Sequence, residues 1–166
     1  MYNSSGINGY PHFTALLGRR PQARAVVRGS GRYPLIYGEV RFYQTTLGVV
    51  VLAEIMGLPD SENPCRAPIF GFHIHDGGEC TGNSDDPFAN AGRHYNPDGC
   101  PHPYHAGDMP PLFGAGGLAF SAFLTDRFAV EEILGRTVII HGAPDDFTTQ
   151  PAGNAGEKIA CGVIVG

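Results

Sequence analysis

Six of the chain's seven histidines fall into a pattern that could bind metal ions. They are His73, His75, His94, His102, His105 and His141, and Asp108 follows the fifth of them after two intervening residues. Histidine is a preferred ligand of both copper and zinc, and a carboxylate oxygen suits zinc. These seven side chains are enough for two four-coordinate sites if one histidine serves both.

The spacing within this set indicates which side chains could share an ion. His73 and His75 alternate with apolar residues in a strand-like run, so both imidazoles are expected on one face of a strand. His102, His105 and Asp108 follow one another at intervals of three, which favours chelation of one cation from a loop. Each histidine alone has an ordinary structural explanation, but the whole set predicts a metal centre.

The elements that must position these residues are predicted to be strands. At 166 residues the chain is long enough for one domain with its own core, and its 24 glycines and 14 prolines indicate many turns. Strands are predicted at residues 23–28, 35–44, 47–56, 68–75, 118–124, 129–134, 137–141 and 160–165. Two long irregular segments, 76–117 and 142–158, are expected to build the site. The pattern predicts an all-β antiparallel sandwich or flattened barrel.

Residues 1–22 precede the first predicted strand. They are expected to form an arm that is either flexible or held against the surface, with residues 23–166 as the domain. His12 lies in this arm beside Pro11 and is predicted to be an ordinary solvated histidine.

The charge of the chain argues against two classes of partner. The net charge is −5, and no cluster of Lys and Arg is present that would bind nucleic acid or a membrane surface. The longest apolar run, residues 47–56, contains Glu54 and is too short to span a bilayer.

Two features give opposite indications of the compartment. The first residues lack the basic start and the continuous apolar segment of a secretory signal, so either the protein stays in the cytoplasm or a leader is absent from this sequence. The four cysteines could form two disulfides, which suits an oxidising, extracytoplasmic compartment. The compartment therefore stays open at this point.

Six ordered motifs surround the candidate residues. They are Gly71-Phe-His-Ile-His75, Gly92-Arg-His-Tyr-Asn-Pro97, His105-Ala-Gly-Asp108, Gly135-Arg-Thr-Val-Ile-Ile-His141, Asp145-Asp146 and Gly153-Asn-Ala-Gly-Glu-Lys-Ile-Ala-Cys-Gly162. From about residue 23 to residue 165 the sequence closely resembles the copper/zinc superoxide dismutase family. The resemblance implies an all-β, antiparallel Greek-key β-sandwich or flattened barrel of the immunoglobulin-like kind. It also implies copper and zinc as cofactors and superoxide as substrate.

The resemblance implies a role for each candidate residue. The residues that correspond to the copper ligands are His73, His75, His94 and His141, and those that correspond to the zinc ligands are His94, His102, His105 and Asp108. His94 would then bridge the two ions as an imidazolate. Asp145 matches the family's aspartate that hydrogen-bonds one histidine of each site and fixes its tautomer, and a loop-capping carboxylate is the alternative.

Two residues depart from the family pattern. Lys158 stands where family members carry an arginine beside the copper. The compact ammonium of lysine thus replaces the planar guanidinium of arginine, and weaker docking of the anion is expected. Ala152 stands where well-known members carry a threonine that narrows the channel, so wider access is expected. The loop before Lys158 contains no other lysine after His141, which weakens the case for long-range steering by that loop.

The cysteines fall into two pairs. Cys80 and Cys161 match the family disulfide, which would anchor the first long loop to the last strand. Cys65 and Cys100 have no counterpart in the familiar pattern. A second bridge between them is open, and so are two free thiols or a thiol near zinc.

The resemblance predicts a superoxide dismutase, in which Lys158 docks the anion and His94 takes and returns a proton. The alternative is a non-catalytic copper- or zinc-binding protein on the same scaffold, serving as a store, chaperone or structural module. A zinc hydrolase is a third option, which four protein ligands on zinc would disfavour. Family members are often dimers and some are monomers, so a homodimer is one possible state.

Overall fold

The computed structural model describes residues 13–16, 18–63, 65–66 and 68–166. Within these ranges nine antiparallel strands form one sheet, in the order β4-β6-β7-β3-β2-β1-β9-β8-β5. They are β1 (Ala23–Gly29), β2 (Tyr37–Thr45), β3 (Gly48–Met56), β4 (Ile69–Phe70), β5 (Phe72–His75), β6 (Leu112–Ala115), β7 (Leu118–Thr125), β8 (Thr137–His141) and β9 (Lys158–Val165). Because β4 and β5 are consecutive in the chain but occupy opposite edges, the sheet curls into a nearly closed barrel. The predicted all-β class is confirmed.

Alternating burial explains how the strands form the barrel wall. In β1 the side chains of Ala23, Ala25 and Val27 are buried, and those between them are exposed. β2 and β3 pair along their whole length, as expected of strands joined by a tight turn. The inward side chains form a core in which Phe42 and Leu112 are fully enclosed.

The chain crosses from one edge of the sheet to the other at Gly71. Phe70 pairs with β6, whereas Phe72 pairs with β8. A Cβ at Gly71 would lie 2.8 Å from that of Ala155, so glycine is required where the two edges meet. The sequence predicts one continuous strand over residues 68–75, and the structure corrects this because the hydrogen-bonding partners change at Gly71.

A second correction concerns residues 129–134, for which the sequence predicts a strand. A short helix, α1 (Val130–Ile133), lies there instead. The carboxylate of Glu132 accepts a backbone N–H at the start of the helix at 2.6 Å, and Val130 and Ile133, one turn apart, both contribute to the core. In the described part of the chain, no helix has the length and apolar character needed to cross a bilayer.

The first long loop covers the free edge of β5. The segment 76–117 is irregular as predicted, apart from a 3-10 turn at Ala89–Ala91 and strand β6. The N–H of Ile74 donates to the carbonyl of Gly107 at 2.9 Å, and the N–H of Tyr95 donates to the carbonyl of Ile74 at 2.8 Å. The loop therefore satisfies the edge strand and brings its own side chains beside it.

Part of the predicted arm lies against the barrel. A 3-10 helix spans Phe13–Leu16, and its ends pack on outward-facing side chains of β2 and β3, namely Tyr43, Val50 and Leu52. The division into an arm (1–22) and a domain (23–166) stays a prediction, and His12 lies outside the described residues.

Candidate metal centre

Neighbouring strands carry three of the predicted histidines. The rings of His73 and His75 on β5 lie 6.4 Å apart between centroids, while Phe72 and Ile74 contribute to the core. β5 pairs with β8, which ends at His141. The ring centroid of His141 lies 5.0 Å from that of His73 and 5.4 Å from that of His75.

The loop after β5 brings further predicted residues to the same place. Isolated backbone bridges pair His75 with His94 and His73 with Asp108. Sheet-like pairing thus fixes the loop positions of His94 and Asp108 relative to β5, because backbone register sets where their side chains begin.

Four buried histidines form the first group of possible metal ligands, with one nitrogen of each within 4.8 Å of the others: His73, His75, His94 and His141. The Nδ1–H of His75 donates to the carbonyl of Gly92 at 3.1 Å, and that of His141 to the carbonyl of Gly156 at 3.1 Å. A carbonyl can only accept, so the Nε2 atoms of both rings carry lone pairs. These two Nε2 atoms lie 3.3 Å apart, and two acceptors so close repel unless both bind a cation.

A second group shares His94 with the first. Its possible ligand atoms also lie within 4.8 Å of one another and belong to His94, His102, His105 and Asp108. Nδ1 of His94 lies 2.7 Å from one carboxylate oxygen of Asp108. The Nδ1 atoms of His102 and His105 lie 3.0 and 3.2 Å from the other oxygen. This arrangement leaves Nε2 of His94 for the first group.

Asp145 connects the two groups from behind. Its Oδ2 accepts the Nε2–H of His73 at 2.7 Å, and its Oδ1 accepts the Nε2–H of His102 at 2.8 Å. Both rings therefore present an unprotonated Nδ1 to their groups. The backbone N–H of Phe147 donates to Oδ1 at 2.7 Å and holds the carboxylate in place.

Buried nitrogens without hydrogen bonds indicate that the groups fit cations. Among the described residues, Nδ1 of His73, Nε2 of His94 and Nδ1 of His102 are buried and have no hydrogen-bond partner. An unpaired buried polar atom costs on the order of 1–3 kcal/mol, which coordination would remove. Four imidazoles suit copper, and three imidazoles with a carboxylate suit zinc.

Burial favours the neutral, metal-binding form of three of the four histidines in the first group. It lowers the pKa of His73, and burial together with the charge of His141 lowers the pKa of His75 well below 6.5. Burial also lowers the pKa of His141 to about 3. For Asp145, burial alone would raise the pKa, but hydrogen bonds, that from His73 foremost, outweigh it and keep the carboxylate ionised.

The first group borders a cleft of about 990 Å³. His75 and His141 line this cleft, and so do Lys158 and Ala152. Lys158 is the register partner of His141 where β8 meets β9. The residue expected to dock an anion therefore lies directly beside the four-histidine group.

The ammonium of Lys158 has a partner that the sequence did not predict. Its Nζ donates to Oδ2 of Asp86 at 2.6 Å and to the carbonyl of Phe88 at 3.2 Å. Asp86 lies 72 residues earlier in the chain, so no local spacing connects the two. The carbonyls of Gly92 and Gly156 were also missed, because backbone groups leave no signal in a sequence.

The predicted disulfide between Cys80 and Cys161 is present. Apolar side chains that pack around it belong to Phe88, Ala91 and Ile139. Cys65 is exposed and Cys100 is half-buried, and both are free thiols, so the second bridge that the sequence left open is absent.

Comparisons with known proteins agree with this geometry. A family model described as copper/zinc superoxide dismutase (SODC) matches residues 36–164. Superoxide dismutase [Cu-Zn] 2 of Aquifex aeolicus is 34% identical over 144 residues, which cover 78% of this chain and 79% of the relative. The enzyme of Photobacterium leiognathi is 33% identical, covering 76% of this chain and 78% of the relative. Superoxide dismutase [Cu-Zn] A of Xenopus laevis is 33% identical, covering 86% and 96%.

Proposed function

Because the chain belongs to the copper/zinc superoxide dismutase family, we propose that it converts superoxide to dioxygen and hydrogen peroxide with copper and zinc as cofactors. The observation that supports this most directly is the shared histidine, since His94 belongs to both groups of possible ligands. A single imidazole has two ring nitrogens on opposite sides and can bridge two cations.

We assign the copper ligands as His73, His75, His94 and His141, and the zinc ligands as His94, His102, His105 and Asp108. The unpaired nitrogens of His73, His94 and His102 support the assignment. So do the hydrogen bonds that fix the tautomers of His75 and His141.

Copper held by His73, His75, His94 and His141 would supply the one-electron redox chemistry of the reaction. The chain's residues supply the rest. Lys158 binds the anion through its ammonium at the cleft, His94 holds and returns a proton at Nε2, and Asp145 keeps Nδ1 of two histidines free for coordination. The four residues assigned to zinc, His94, His102, His105 and Asp108, would hold the 76–117 segment against β5.

The alternative, a non-catalytic copper- or zinc-binding protein, is not favoured. All four histidines expected at copper are grouped together, and three of them, His75, His94 and His141, line the cleft. A storage or structural role would not need an accessible copper face.

Elemental analysis and a superoxide assay on one preparation test the proposal. We expect His94→Ala to lower the content of both metals, His141→Ala to lower copper with zinc retained, and His105→Ala to lower zinc with copper retained. A fully copper-loaded protein no more active than free copper would favour the binding-protein alternative. Retention of both metals by His94→Ala would end the assignment of a shared ligand.

We further propose a homodimer and an extracytoplasmic site of action. The dimer is supported only by family membership, and sedimentation of the metal-loaded protein tests it. The disulfide between Cys80 and Cys161 supports an oxidising compartment. Fractionation of the source cells, with activity measured in each fraction, tests the compartment.

A further inference from the structure

The ion pair at Lys158 changes the charge that an approaching anion meets. Its Nζ lies 2.6 Å from a carboxylate oxygen of Asp86. At larger distances a paired ammonium and carboxylate act as a dipole, whose field falls off faster than that of a free cation. Lys158 therefore attracts an anion less strongly than its formal charge implies.

The pair is preorganised by its surroundings. The side chain of Lys158 is only 14% exposed, against 39% for Asp86, so solvent screens the contact less than at an open surface. Asp86 lies in the segment anchored by the disulfide, where Phe88 and Ala91 pack on Ile139. Oδ1 of Asp86 accepts the N–H of Phe88 at 3.0 Å, which directs Oδ2 to Lys158.

Other charged side chains line the cleft beside the ion pair of Lys158 and Asp86. The charged residues lining it are Asp76, Asp85, Asp86, Glu157, Arg93, Arg136 and Lys158. The guanidinium of Arg136 lies 4.0 Å over the ring of Tyr95 and donates to the carbonyl of Glu132. Arg32, which pairs with Glu157 at 3.1 Å, neutralises one further carboxylate. The ion pair with Asp86 therefore offsets the positive charge of one of the three cationic side chains, Arg93, Arg136 and Lys158, that line the cleft.

We propose that Asp86 is a positioning residue that tethers Lys158 and lowers the affinity of the cleft for small anions. The inference rests on the proposed function, because it takes Lys158 as the residue that docks the substrate. Asp86 has no direct part in electron or proton transfer. It sets how strongly the docking cation binds and where that cation is held.

The test is azide binding to the copper-loaded protein, read from the change in the visible absorption of copper(II). Asp86→Asn removes the charge but keeps an Oδ1 acceptor for the N–H of Phe88, and we expect about three- to tenfold tighter azide binding. Asp85→Asn is the matched control, since Asp85 lines the same cleft without contacting Lys158, and its effect should stay below about twofold. Asp86→Ser, which is also neutral, should change azide affinity in the same direction as Asp86→Asn.

A second background separates an effect through Lys158 from a general effect of charge. In Lys158→Met protein, Asp86→Asn should change azide affinity by less than about twofold. Equal tightening in both backgrounds, or no tightening in the Lys158 background, would overturn the proposal.

Azide binding is measured without turnover, so the two proposals can fail separately. Copper protein that shows the expected azide pattern but does not dismutate superoxide would refute the function and leave the role of Asp86 intact. An active enzyme whose azide affinity does not change in Asp86→Asn would refute the role of Asp86 and leave the proposed function intact.

Discussion

Removing the disulfide should destabilise the protein by several kcal/mol. Cys80 and Cys161 are 81 residues apart, and closing so long a loop restricts the unfolded chain. The chain-entropy relation gives about 4.5 kcal/mol at 25 °C for a loop of this length. For a domain of this size the corresponding fall in melting temperature is roughly 9–18 °C.

The assay is urea unfolding of metal-free protein, because bound metal would add its own stabilisation. The perturbation is the double variant Cys80→Ala/Cys161→Ala. The matched control is Cys65→Ala/Cys100→Ala, which removes two thiols that are not bonded. We expect the control to change the free energy of unfolding by about 0.5 kcal/mol or less.

Two results would refute this reasoning. One is a loss of under about 1 kcal/mol in the disulfide variant, which would mean that the unfolded chain is already restricted. The other is an equally large loss of unfolding free energy in the control, which would mean that the effect comes from altered side-chain packing and not from the cross-link. Wild-type protein treated with a reductant should match the disulfide variant, since reduction breaks the cross-link and leaves both side chains in place.

Two further predictions concern acid and the turn behind the metal groups. The pKa of His141 is about 3 in the folded protein, against 6.5 for an unperturbed histidine, so the unfolded chain takes up the proton first and stability falls as pH drops below 6.5. At pH 5 this one histidine should cost metal-free protein about 2 kcal/mol relative to neutral pH, and urea unfolding that shows equal or greater stability at pH 5 would contradict it. A Cβ at Gly153 would overlap Oδ1 of Asp145 and lie 2.6 Å from Nε2 of His102, so Gly153→Ala should weaken zinc binding about 10- to 100-fold in competition with a chelator. Gly99→Ala is the control, because Gly99 has the same φ of +66° and nothing within 4 Å of its added Cβ, and equal zinc affinity in the two variants would contradict the prediction.

The sequence was informative about strands wherever a run of β-branched and apolar residues lies between turn residues. The predicted strand at residues 47–56 corresponds closely to β3 (Gly48–Met56), because this run is rich in β-branched residues and follows a tight turn. The strand predicted at residues 129–134 was wrong, since a short apolar run is equally compatible with one turn of helix and with a strand. β6 was missed because its residues lie among the glycines and prolines of a long loop.

The grouping of the candidate ligands could be predicted, but their hydrogen-bonding partners could not. The spacing of His73 and His75, and of His102, His105 and Asp108, is a local property of the chain. The contact between Lys158 and Asp86 is not local, because it depends on how the 76–117 segment folds over the barrel. Gly71 was the one visible sign that the run from residue 68 to residue 75 is divided between two sheet edges.

The position of Gly71 has a consequence for assembly. His73 and His75 reach the centre only when β5 has docked beside β8 and the sheet has curled round so that β4 lies at the far edge. In a chain whose barrel has not closed, the histidines would lie apart and would not form the two groups of possible metal ligands. Metal ions would then bind the folded barrel in preference to misfolded chains. The cofactors would thus stabilise the correct fold in addition to their part in catalysis.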